Sequence, residues 1–114
     1  MKWGMFYDTG DYAVFETPGR EEAQFPIEGE EERRPLVYRT RKEAIEELVE
    51  YAEELNEARI EGRMDGYSLP HPKYPFSRET AEDITGAYVR KLTEEDMDLF
   101  DQEYGGVWVF KQGD

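Results

Sequence analysis

Cysteine is absent from this sequence and histidine occurs once. The first absence removes disulfides, zinc–thiolate sites and thiol nucleophiles, and it fits a reducing compartment. The second leaves His71, set between Pro70 and Pro72, as the sole imidazole. A Ser/His/Asp arrangement would have to draw its nucleophile from Ser68 or Ser77, and a metal site would need carboxylates from elsewhere in the chain. Also missing are a glycine-rich phosphate loop, a Walker-type lysine, a dinucleotide fingerprint and any internal repeat. The expectation is a protein that is not an enzyme and takes neither cofactor nor metal. No apolar run reaches membrane-spanning length, and the N-terminus lacks the basic-then-apolar layout of a secretory signal, so a soluble, cytoplasmic protein is expected.

Positive charge is scarce as well. Fourteen lysines and arginines face 28 aspartates and glutamates, for a net charge of −14. That balance argues against direct binding to nucleic acid or to an anionic membrane, and for attraction to a basic protein surface. Low hydropathy with high net charge is also the signature of disorder, but 14% aromatic residues and clear periodicity point to a folded core.

What is present is organised around residues 40 to 63, which read as one long helix with two opposed faces. At about 100° per residue, Ile45, Leu48, Val49, Ala52 and Leu55 share one side. Glu43, Glu46, Glu47, Glu50, Glu53, Glu54, Glu57 and Glu61 fall within roughly 120° on the other. Thr40 with Glu43 makes a capping box, and Gly62 marks the end. The acidic face opposes folding. Like-charged i,i+4 pairs at 43/47, 46/50, 50/54, 53/57 and 57/61 each cost about 0.2 to 0.5 kcal/mol in an isolated helix. A helix that faces only solvent gains from lysines mixed into such a face.

The rest of the chain completes an α+β reading in a single domain spanning 1–114. Trp3, Met5 and Tyr7 alternate with smaller or polar residues; Asp8 to Asp11 supplies turn chemistry; Tyr12 to Phe15 resumes the strand pattern. Aromatics on both faces of this hairpin imply that the second face is partly covered. Asp8-Thr9-Gly10 matches the tripeptide that carries the catalytic carboxylate of aspartic proteases, yet no second apolar-glycine element follows downstream, and a turn is expected. Residues near 18–35 read as a mobile acidic loop, and Leu36 to Arg39 as a short strand. Residues near 63–78 form a loop rich in proline and aromatics, with Tyr67 and Tyr74 as candidate contacts and Tyr74 and Phe76 as candidate plugs for the core. A helix opens at Ser77 or Thr80; Gly86 leaves Ala87 to Leu92 open between helix and strand. Thr93 with Asp96 opens a short helix with Met97, Phe100 and Tyr104 inward, and Val107 to Phe110 is a strand expected to pair with the N-terminal hairpin. The acids Asp96, Asp98, Asp101 and Glu103 follow a helical pattern, not the irregular glycine-centred turn of a calcium loop.

The functional expectation is a small acidic binding protein that engages a basic protein surface, as a nucleic-acid-mimicking inhibitor of a nuclease or defence complex would. Its contact residues are Glu43, Glu46, Glu47, Glu50, Glu53, Glu54, Glu57, Glu61, Tyr67 and Tyr74. The alternative is a salt-adapted interaction domain that uses the proline/aromatic loop without nucleic-acid mimicry.

Overall fold

The computed structural model describes residues 1–16 and 33–110. Its elements are β1 (Trp3–Tyr7), β2 (Phe15–Glu16), β3 (Arg34–Val37), α1 (Arg41–Ile60), α2 (Arg78–Thr85), β4 (Ala87–Lys91), α3 (Glu94–Tyr104) and β5 (Trp108–Val109). The fold is α+β. The acidic segment expected near 18–35 lies outside the described residues as far as residue 32; its last two residues, Arg34 and Pro35, belong to β3.

The strands form two sheets, β1–β4 and β2–β3–β5, and β1 is bridged to its neighbours on both edges. One edge pairs antiparallel with β4, from Trp3 opposite Lys91 to Tyr7 opposite Ala87. The other edge meets Tyr12 at Phe6 and Tyr38 at Trp3. The turn at Asp8 to Asp11 closes as expected, with the Gly10 amide donating to the Tyr7 carbonyl at 2.8 Å and Gly10 at φ 93°. The returning strand leaves β1 after Ala13, and Phe15 and Glu16 pair with Pro35 and Arg34 of β3 instead.

The C-terminal strand does not join the hairpin. β5 runs parallel to β3, Leu36 beside Trp108 and Val37 beside Val109. The physical reason is that both edges of β1 are already taken, so the chain leaving α3 through Gly105 and Gly106, both at positive φ, aligns with the free side of β3.

Alternation along β1 sends Met5 and Phe6 to opposite faces, and each face has its own core. On the Met5 side, Leu48, Ala52 and Leu55 of α1 and Ala81 and Ile84 of α2 pack with Phe76 and Ala87. On the Phe6 side, Phe100 of α3 packs with Val37 and Leu92. The helices therefore cover both faces rather than mainly one. Tyr12 seals the second core edge-on to Phe6 and Phe100, each at 4.9 Å between ring centres, and its hydroxyl donates to the Leu36 carbonyl.

The ambiguous stretch 79–92 contains both elements. Ser77 caps α2, Gly86 ends it in the left-handed conformation at φ 67°, and β4 begins at the next residue. α3 opens on the expected capping box of Thr93 and Asp96.

Candidate acidic face and the loop pinned beside it

Thr40 caps α1 through its side chain, which accepts from the Glu43 amide at 3.1 Å. The helix ends at Ile60, three residues before Arg63, because Gly62 takes φ 76°. There the Arg63 amide reaches the Ala58 carbonyl and the Gly62 amide the Arg59 carbonyl, the two bonds of a Schellman termination. The buried side of α1 is Ala44, Leu48, Ala52, Leu55, Asn56 and Ala58, so it is turned toward Ala44 and Ala58, and Ile45 and Val49 are only half-buried.

This rotation divides the acidic face. Glu46, Glu50, Glu54 and Glu61 are exposed; Glu43, Glu47, Glu53 and Glu57 are half-buried. Four of the eight carboxylates have local partners. Glu43 accepts from the Thr40 hydroxyl, Glu46 lies 4.0 Å from Lys42, Glu57 accepts from the Tyr74 hydroxyl, and Glu61 pairs with Arg63 at 2.7 Å. No base among the described residues forms an ion pair with Glu47, Glu50, Glu53 or Glu54. Glu47 titrates above the ordinary glutamate range, first because burial disfavours its charge and then because Glu50, Glu54, Glu46 and Glu16 of β2 repel it. Near the end of the helix, Glu53, Glu54, Glu57 and Arg63 line an open depression of about 420 Å³.

The proline/aromatic loop is fastened to this end of α1. Asn56 is fully buried and holds Leu69 by both backbone groups, its Nδ2 donating to the carbonyl at 3.2 Å and its Oδ1 accepting from the amide at 2.8 Å. Arg59 donates to three carbonyls: Nε to Asp65 at 3.2 Å, and Nη1 to Tyr67 at 3.0 Å and to Ile84 of α2 at 2.9 Å. Gly66 makes room for that guanidinium; a Cβ there would lie 2.7 Å from the arginine Nε. Neither Asn56 nor Arg59 is among the sequence-derived contact residues. Asn56 carried a signal nonetheless, since at 100° per residue it falls beside Ala52 on the apolar side of the helix.

The two candidate tyrosines differ in placement. Tyr74 is brought to the acidic face, with its hydroxyl on Glu57 and its ring edge-on to Phe76 at 4.9 Å. Tyr67 stands 70% exposed on the pinned turn. Phe76 alone is the buried plug. No protein family, curated protein or solved structure matches this chain. Among the described residues no group of three or more His, Cys, Asp or Glu is placed to hold a metal ion, and no helix is long and apolar enough to cross a membrane.

Chemically, Glu47, Glu50, Glu53 and Glu54 offer acceptors that no ion pair occupies. Ionised carboxylates on adjacent turns, spaced about 5 to 6 Å, can accept charge-assisted hydrogen bonds from guanidinium and ammonium groups. Asp96 belongs to a different, structural ion pair. It accepts from Arg90 Nη1 at 2.7 Å and Nη2 at 3.1 Å, and that partner holds its carboxyl down at about 2.

Proposed function

We propose that this chain is a small acidic binding protein whose exposed α1 face engages a basic protein surface, presenting carboxylates where a nucleic acid would present phosphates. One observation carries the reading: Glu47, Glu50, Glu53 and Glu54 stand together on a well-capped helix, and none of them forms an ion pair with a base among the described residues. Such an array costs folding free energy and supplies a negative field that steers a basic partner. On contact it competes for the arginines and lysines that otherwise hold phosphate. The partner class is a nuclease or defence complex with a basic nucleic-acid groove.

The test is inhibition of DNA cleavage by a panel of nucleases with basic grooves. Inhibition of a panel member is expected to be relieved by excess uncleavable duplex and lost in Glu46→Lys/Glu50→Lys/Glu54→Lys, three changes at exposed positions. Undiminished inhibition by that folded variant contradicts the proposal. A second reading, a salt-adapted domain that meets partners through the 63–78 loop, is favoured by the exposure of Tyr67. Tyr67→Ala would then abolish binding while the lysine variant retained it.

A further inference from the structure

We propose that the partner's contact surface carries an apolar side chain among its bases, and that this side chain seats on the corner formed by Ile60, Met64 and Tyr67. The inference rests on the proposed function and locates where the contact is anchored. Among the described residues seven large hydrophobic side chains are exposed: Met1, Ile60, Met64, Tyr67, Tyr74, Leu99 and Tyr104. Four of them, Ile60, Met64, Tyr67 and Tyr74, belong to the end of α1 and the loop behind it. Ile60 follows Glu57 by three positions and so lies on the same side of the helix, beside the carboxylate that receives Tyr74. Arg59 holds the carbonyls of Asp65 and Tyr67, which keeps Met64 to Tyr67 against that same end.

Charge identifies the occupant. Residues 53 to 67, the end of α1 and the turn after it, carry five carboxylates, Glu53, Glu54, Glu57, Glu61 and Asp65, against two guanidiniums, Arg59 and Arg63. Arg59 is committed to three carbonyls, and Arg63 to Glu61. A second copy would bring together two chains of net charge −14, whereas a basic partner gains from the field. Tyrosine and methionine are enriched where protein interfaces are anchored, and a loop already held by Asn56 and Arg59 loses little freedom on binding.

Two synthetic peptides of equal charge and length, one alternating arginine with leucine and the other arginine with serine, are titrated onto the full chain by calorimetry. The leucine peptide is expected to bind roughly tenfold tighter, the gain from burying apolar side chains. Ile60→Ser/Met64→Ser/Tyr67→Ser is expected to erase that advantage while leaving the affinity for the serine peptide unchanged. Met64→Ser alone, at an exposed loop position, should reduce the advantage and serves if the triple variant does not fold. Equal affinities on the native chain, or an advantage retained in the variants, overturn the inference. If the serine peptide binds and is lost in Glu46→Gln/Glu50→Gln/Glu54→Gln, the proposed function survives that failure; if neither peptide binds, both fall.

Discussion

Gly66 and Asn56 show how single residues hold the candidate surface in place. Gly66 sits at φ 124° with the Arg59 guanidinium filling the space where a side chain would begin. Gly66→Ala is therefore expected to destabilise the fold by roughly 1 to 3 kcal/mol in urea unfolding, through backbone strain and displacement of Arg59. A change under a few tenths would show that the turn is not held as described. Asn56 satisfies both backbone groups of Leu69 from a fully buried position. Asn56→Ala leaves a buried donor and acceptor unpaired, with an expected loss of about 2 to 4 kcal/mol. The same variant should speed amide exchange at Leu69; unchanged protection there contradicts the role given to Asn56. Asn56 acts through bonds to the loop backbone and Gly66 through the space it leaves for Arg59, so neither has an aromatic or charged signature that would mark it in sequence.

At the scale of elements, α1 and α3 were readable because their ends are written locally. The Thr40 side chain accepting from the Glu43 amide, the full capping box of Thr93 and Asp96, and the glycines that follow each helix act within a few residues. The strands were less readable, since β5 choosing β3 over the hairpin depends on edges already filled by residues far away in sequence. Gly86 likewise permits either a helix end or a weak helix interior until β1 supplies a partner for Ala87 to Lys91. The face of α1 was legible as a stripe, but which of its carboxylates are exposed depended on the helix rotation set by Ala44 and Ala58.

The folded-state pKa of Glu47 is raised, so the folded chain binds more protons than the unfolded one between the ordinary glutamate value and that raised value. Its stability contribution is therefore lost as pH rises through that window. Glu47→Gln should raise stability at neutral pH by about 0.5 to 1 kcal/mol, the relief of two or three neighbouring repulsions, and the gain should vanish below about pH 4. A loss of stability at pH 7 would show that the carboxylate is favourably paired. Asp96 has the opposite sign. Arg90 depresses its carboxyl to about 2, so the stability it adds is present above its unfolded value and lost as pH falls toward 2. Asp96→Asn is expected to cost about 1 kcal/mol or more at pH 7 and to lessen acid sensitivity in that range. An acid transition unchanged in Asp96→Asn would contradict the pairing.

For the whole molecule, the balance is between three apolar clusters, built on Met5, on Phe6 and on Tyr38, and a net charge of −14. On the proposed function, the fold carries the repulsion of α1 for the sake of a partner rather than as an adaptation to saline solvent. Thermal unfolding from a few millimolar to molar KCl tests this most directly. Screening relieves repulsion in any acidic protein, so a modest rise in Tm with salt is expected in every case. If a partner is the reason for the stripe, a cooperative transition is expected already at the lowest salt, from a folded chain whose acidic face is free to bind. A chain that is unfolded at low salt and folds only in concentrated KCl would contradict it.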